Sequence, residues 1–265
     1  MNASIYDELS LWSSHFGDLL LRHLELRPGI EILDLGCGTG FPLFELAMIH
    51  GAESHVVGLD PWTDAIERAR WRQEFHQLPN VTIVEANGTA IPFPDGTFDL
   101  IVSNLGINNF TDPAAVLAEC RRVIRPEGRI VMTTNLDGHM RELYALYAET
   151  LHALELERYL PRLDAQRAHR GTTASHRALL ESAGFRITRS YEEEFSMRYI
   201  DGTALFNHFL TRIGFLDGWK SIVDADDQHQ VLTLLEQKLN RKASLDGELR
   251  MTIPMLYLEG EIRGV

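Results

Sequence analysis

The sequence predicts an α/β protein: a doubly wound, mostly parallel seven-stranded sheet with a helical lid contributed by two insertions. Three observations predict it. Over residues 30–136, short apolar runs of strand length alternate with helical patterns. Several of those runs are apolar on both faces, as central strands covered by helices must be. The strand signature also returns twice after long helical stretches near the end of the chain. At 265 residues, with 45% apolar and 24% charged side chains, the chain is long enough to bury a core of its own.

Taken in order, Ile30–Leu35, Val56–Leu59, Val81–Val84, Leu100–Ser103 and Ile130–Thr134 have strand length and composition. Helical stretches near Phe41–His50, Asp64–His76 and Pro113–Val123 separate them, and strands joined by helical crossovers form a parallel sheet with helices on both faces. After Thr134 the pattern changes. His139–Leu160 reads as one amphipathic helix, with Met140, Tyr144, Tyr147, Leu151 and Leu154 spaced by four and three, and Pro161 ends or kinks it. A helix Ser175–Ser182, the cap Ala183-Gly184 and a strand Phe185–Ser190 follow. A second helical insertion, Gly202–Lys242, precedes a last strand Met251–Ile262. Both insertions leave from the carboxyl ends of strands, the edge where open α/β sheets hold ligands. Residues 137–172 and 200–248 are therefore expected to form a lid on a core of residues 28–136, 173–199 and 249–265, in one domain spanning 1–265.

The formal charge of −13 is opposite to that of a chain that clamps nucleic acid or lies on anionic lipid. The two cysteines, Cys37 and Cys120, cannot build a disulfide framework, and no Cys/His spacing reads as a zinc site, so no metal is expected. The first residues carry no export signal, and no uncharged apolar run reaches the roughly 18 residues a membrane span needs. The expectation is a cytoplasmic protein, monomer or homodimer, without nucleic-acid or membrane partners.

The strongest local signal is Glu31-Ile-Leu-Asp-Leu-Gly-Cys-Gly-Thr-Gly40, a buried strand opening into G-x-G-x-G ahead of a helix. Such glycines let backbone N–H groups approach a ligand and leave the helix N-terminus open. A dinucleotide fingerprint needs its third glycine at position 41, where Phe41 stands, and the G-K-[ST] of a phosphate loop is missing. Asp60 ends the second strand twenty residues after Gly40, where a carboxylate can accept hydrogen bonds from ribose hydroxyls. A solvated strand-end aspartate is the plainer alternative, and the loop in register before it favours the ribose.

The third signal is the stretch A-N-G-T-A-I-P-F-P-D-G-T-F-D, residues 86–99. With L-D-L-G-C-G-T-G, G-L-D and V-I-R-P-E-G-R-I-V-M, it resembles the class I methyltransferases that use S-adenosylmethionine, with the motifs in matching order and spacing. The resemblance covers residues 29–136 specifically and the chain from Ala183 onward loosely. It implies a Rossmann-like sheet, S-adenosyl-L-methionine as cofactor and S-adenosyl-L-homocysteine as product. By position it implies that Asp34 and the Gly36, Cys37, Gly38 and Gly40 backbone hold the methionine part, and that Asp60 takes the ribose. Pro61 and Trp62 would pack beside the adenine. Asn87 stands where many relatives have Asp and offers its carbonyl oxygen to the adenine amino group. Gly88 would present its N–H to a ring nitrogen, and Asn104 and Leu105 would lie beside the sulfonium.

The acceptor is less legible. The family's nucleic-acid and amide methyltransferases often carry [N/D]-P-P-[Y/F] after the fourth strand, where this chain has Asn104-Leu-Gly-Ile-Asn-Asn109. With the charge of −13, that points to a small-molecule acceptor. Candidate catalytic residues after the fifth strand are Asn135, His139 and Tyr144; a solvated His139 and a core-packed Tyr144 are the plainer alternatives. Arg198 is the candidate clamp for a substrate carboxylate, unless it pairs with Asp201 or a nearby glutamate. Tyr6, Trp12 and Phe16 either close over the cofactor or pack a helix on the core. The function expected is methyl transfer to O, N or C of a small molecule. Its rivals are another displacement at the same sulfonium, such as a cyclisation releasing methylthioadenosine, and a catalytically idle cofactor-binding subunit. A nicotinamide oxidoreductase is disfavoured by Phe41.

Overall fold

In the computed structural model, which describes residues 10–262, helix α1 (Ser10–His23) leads to strand β1 (Glu31–Leu35). Then come α2 (Leu43–His50), β2 (His55–Asp60), α3 (Thr63–His76), β3 (Val81–Glu85), β4 (Phe98–Asn104), α4 (Pro113–Val123) and β5 (Ile124–Asn135). Helices α5 (Arg141–Ala153), α6 (Leu160–Ala168) and α7 (Thr173–Ser182) precede β6 (Phe185–Tyr199). Four helices, α8 (Gly202–Asn207), α9 (Phe209–Gly214), α10 (Leu216–Lys220) and α11 (Ala225–Asp246), separate it from β7 (Leu249–Ile262). One sheet takes all seven strands in the order β3-β2-β1-β4-β5-β7-β6. The pairs β1–β2, β2–β3, β1–β4 and β4–β5 are parallel.

The sheet is built as the apolar runs require. Ile32, Leu33, Val56, Val57, Ile101 and Val102 on the central strands are buried, whereas the edge strand β3 is half open. Local chemistry sets the helix ends. Asp112 accepts the Ala115 N–H at 3.0 Å, and Pro113, which has no N–H to lose, opens α4 behind it. The chain winds from β1 through β2 to β3 on one side, then crosses back to β4 beside β1. The carboxyl ends of β1 and β4 thus flank the switch point, where two successive crossovers leave in opposite directions and open a crevice.

The chain divides into two compact units. The first holds the chain up to Thr134, Thr173–Glu192 and the chain from Leu256 onward; the second holds Asn135–Thr172 and Glu193–Met255. The division falls inside β6 and β7 rather than at their ends. Strand β6 runs nine residues beyond the expected Ser190. Its acidic run Glu192–Glu194 does not break it, because Thr173 donates to Glu192 at 2.7 Å and Arg141 to Glu194 at 2.9 Å.

Two helical expectations are corrected. His139–Leu160 is not one helix: α5 stops at Ala153, Glu155 takes a left-handed φ of 57°, and the Leu156 N–H reaches back to the Leu151 carbonyl at 2.8 Å. Pro161 then opens α6 instead of ending α5, since the first turn of a helix tolerates a missing N–H. The insertion 202–242 is likewise four helices, the last of them running to Asp246. Among the described residues, no helix is long and apolar enough to cross a membrane. Tyr6 lies outside the described residues; Phe16 is buried, with Trp12 tilted on it at 5.1 Å.

The break at Glu155 is testable. A non-glycine residue in the left-handed region costs on the order of 1 kcal/mol, and Glu155 is exposed. Glu155→Gly should raise stability by about 0.5–1 kcal/mol in urea titration, whereas a helix continuing through this position would lose about that much.

Candidate active site

The carboxyl edge of β1 and β2 carries two carboxylates, Asp34, just ahead of the glycine loop in the chain, and Asp60, which is hydrogen-bonded to that loop. Asp34 is completely buried, and neither oxygen makes a well-formed hydrogen bond among the described residues. Burial first, then the neighbouring Asp60 charge, pushes its carboxyl up to about 8, opposed weakly by the Leu43 backbone N–H. Asp60 is also pushed up by burial, against the two N–H groups it accepts, from Trp62 at 2.9 Å and from Gly38 at 3.0 Å.

Strand β2 therefore shapes the loop. The Leu59 carbonyl accepts from Gly36 and Cys37 at 2.8 and 3.2 Å, and Asp60 accepts from Gly38. Gly38 has φ +53°, and a Cβ added there meets nothing within 4 Å: it would project into the space the loop keeps open. Gly40 (φ +105°) is required for a different reason, since a Cβ would lie 2.1 Å from the Phe44 ring. The Cys37 thiol is buried and held well above its ordinary range by burial and by both carboxylates, so it is a packed, unreactive group. Phe41 fills the place of the missing third glycine by packing on Gly17, where a Cβ would come within 2.3 Å of its ring.

The other cofactor-side candidates flank this centre on the same unit. Pro61 is exposed and Trp62, at the head of α3, is half-buried. Gly88 is buried against Leu35 and Val116. Asn87 departs from the expectation: its carbonyl oxygen already accepts from the Thr89 N–H and hydroxyl, both at 3.0 Å. The Asn104 side chain is fixed as well, accepting from the Thr133 hydroxyl at 2.6 Å and donating to the Ser13 carbonyl at 3.3 Å. Leu105 leaves β4 with φ 65°, a backbone strain that the sequence did not signal.

The second unit holds the acceptor-side candidates. His139 is 3% exposed, not solvated, and sits on a tight turn before α5. That turn is pinned by Leu136 N–H to Pro254 carbonyl (3.1 Å), Asp137 N–H to Gly171 carbonyl (2.7 Å) and Met140 N–H to Thr252 carbonyl (2.8 Å). Asn135 Nδ2 lies 3.3 Å from His139 Nδ1, so the structure brings these two together. Burial, then the Arg170 guanidinium, holds the imidazole well below its ordinary value and keeps it neutral. With Nδ1 accepting from Asn135, the ring proton resides on Nε2. Phe215, 5.2 Å from the ring, and Arg170 are neighbours that no local sequence pattern announced. Tyr144 is 2% exposed, and its hydroxyl has no hydrogen-bond partner among the described residues. Arg198 is corrected as a substrate clamp: its exposed guanidinium is forked onto Glu248, with Nε 3.0 and 2.9 Å from the two oxygens and a shorter third contact, while Asp201 caps α8.

A parallel sheet with a glycine loop at its switch point, an acidic residue on β1 and another ending β2 define the class I methyltransferase fold. Residues 26–184 match the family described as a methyltransferase domain, and the chain belongs to that family, whose methyl donor is S-adenosylmethionine. It is 29% identical to nocamycin O-methyltransferase of Saccharothrix syringae, over 98% of this chain and 96% of that one. It is 35% identical to demethylmenaquinone methyltransferase of Lactococcus lactis over 49% of this chain. The chain spans a third to about half of the length of most curated relatives it matches. Among solved structures, the YcgJ protein of Bacillus subtilis shares the fold with a TM-score of 0.64 at 16% identity, over 95% of this chain and all of that one.

The Asp34 carboxyl gives a test without ligand. Folded, it keeps its proton to about pH 8; unfolded, it loses it near 3.8. The folded chain thus binds more protons between these values, and stability should fall as pH rises from about 4 to about 8. Asp34→Asn removes this dependence, so urea titrations across that range should show a flatter profile for the variant. Parallel profiles would place the buried charge elsewhere.

Proposed function

We propose that the protein transfers the methyl group of S-adenosylmethionine to O, N or C of a small organic acceptor. The observation that carries this reading is the pair of carboxylates, Asp34 fully buried and unsatisfied and Asp60 half-buried, set against a glycine loop that leaves room in front of Gly38. A donor that bears an ammonium and a sulfonium supplies the missing positive charge, and burial of an uncompensated carboxylate is otherwise costly. The match to nocamycin O-methyltransferase along nearly its whole length supports a small-molecule acceptor.

The geometry supports the following roles. Asp34 takes the ammonium end, and Asp60 accepts from ribose hydroxyls with the lone pairs left by Gly38 and Trp62. Pro61 and Trp62 border the base, and the Gly88 N–H meets a ring nitrogen. Because Thr89 occupies the Asn87 carbonyl, the Asn87 amide nitrogen is the group that remains for the base. Bound donor supplies an already activated methyl, so the protein chiefly places the nucleophile in line and excludes water. Asn135 and His139 belong to the acceptor side: neutral, with its proton on Nε2, His139 orients an acceptor oxygen by donating to it rather than removing a proton. Tyr144 offers a buried hydroxyl. The second unit leaves the sheet at the carboxyl end of β5, and we assign residues 137–172 and 200–248 to a lid that closes with ligand.

Asp60→Ala should weaken S-adenosylmethionine binding at least tenfold, about 1.4 kcal/mol, in calorimetric titration, and Gly38→Val at least as much. Unchanged affinity in both would dispose of the cofactor assignment, and release of methylthioadenosine instead of S-adenosylhomocysteine would dispose of methyl transfer.

His139→Gln and Tyr144→Phe should lower turnover while leaving donor affinity within about 1 kcal/mol. Hydrogen exchange in residues 137–172 and 200–248 should slow when donor binds. Full activity in both variants with unaltered exchange would reduce this unit to scaffold.

A further inference from the structure

We infer that the second unit carries a binding groove for an amphipathic organic carboxylate, a molecule with an anionic head and an apolar body. The groove lies among α8, α9, α10 and α11 and is a shallow, solvent-open depression of about 700 Å³. Phe206, Leu216 and Leu232 form its apolar wall, and Arg212, Lys220 and His229 stand along it. In a chain of formal charge −13, the two cations Arg212 and Lys220 outnumber the one acid, Glu236, along this groove.

The positive charge is only partly offset from within. The exposed Arg212 guanidinium makes no ion pair or side-chain hydrogen bond among the described residues. Lys220 has a 3.9 Å contact to Asp217, a side chain 96% exposed and therefore of little consequence. Of the acids at the start of α11, Asp224 is engaged by Arg162 and Tyr159 and Asp227 by Arg158 and Tyr159, and the exposed Asp226 does not line the groove. Glu236, the acid that lines the groove, accepts from the Thr203 hydroxyl at 2.6 Å. A carboxylate head answers Arg212 and Lys220 with charge-assisted hydrogen bonds, and the body covers Phe206, Leu216 and Leu232. Inorganic phosphate would satisfy the charge and leave the apolar wall in water. The groove also has a built-in reporter. Phe206 meets the buried Trp219 edge-on at 5.9 Å, so an occupant should alter tryptophan emission.

The inference does not rest on methyl transfer, and its test needs no turnover. Decanoate should bind the full-length chain saturably in calorimetry, with a change in tryptophan emission, and inorganic phosphate at least tenfold more weakly. Arg212→Gln and Lys220→Gln should each weaken decanoate about tenfold while S-adenosylmethionine affinity stays within twofold. Both are surface substitutions, and thermal melts check their folding; His229→Gln, also exposed, stands in for either one that unfolds. Absence of decanoate binding, phosphate bound as tightly as decanoate, or decanoate affinity unchanged in the variants would each overturn the proposal.

Discussion

The hydrogen bond from the Gly38 N–H to the Asp60 carboxylate joins the two halves of the cofactor side of this molecule. It ties the middle of the glycine loop, which follows β1, to the end of β2, and the Leu59 carbonyl secures the same loop one residue earlier. The loop needs left-handed backbone at Gly36, Gly38 and Gly40, which glycine adopts at little steric cost. Asp60 is thus a structural acceptor as well as the carboxylate proposed for the ribose. Register makes this possible: Leu35 is level with Leu59 and Asp60 with Glu85, so β1, β2 and β3 finish along one edge.

Asp34 shows what that arrangement costs. A fully buried carboxyl without a good hydrogen bond, beside a second carboxylate, is an electrostatic defect in the fold. Folding tolerates it by retaining a proton. On the proposed reading a cationic ligand would supply the partner, so the same group that weakens the fold at high pH would favour binding. Strain held at a site is a common signature of function, and here it has an identifiable electrostatic source.

The sheet was legible because its signals are local. Strand runs such as Val81–Val84 lie one residue from the observed β3, and Pro113–Val123 is matched at both ends because Asp112 and Pro113 form a complete helix start. The helical insertions were harder to read. Nothing in the residues around Glu155 marks a left-handed stop, since the usual glycine is absent and the break is imposed by the turn that lets the Leu156 N–H reach the Leu151 carbonyl. The acidic run in β6 looked like a strand end because the partners that stabilise it, Thr173 and Arg141, are 19 and 53 residues away.

The site divides in the same way. The cofactor-side residues are grouped by motif because one loop and adjacent strand ends carry them, and their spacing survives in the sequence. The residues proposed for the acceptor have no such constraint. His139 is positioned by carbonyls at Gly171, Thr252 and Pro254 acting on its turn, and its neutral state is set by burial and by Arg170. Arg198 shows the converse. It had the chemistry of a carboxylate clamp, and Glu248, 50 residues later, closes the guanidinium fork. A residue type states what a side chain can bind, while its availability depends on which partners the fold delivers. By that criterion His139 and Tyr144 are the acceptor-side candidates whose polar edges are set by burial, and Arg198 is a structural ion pair.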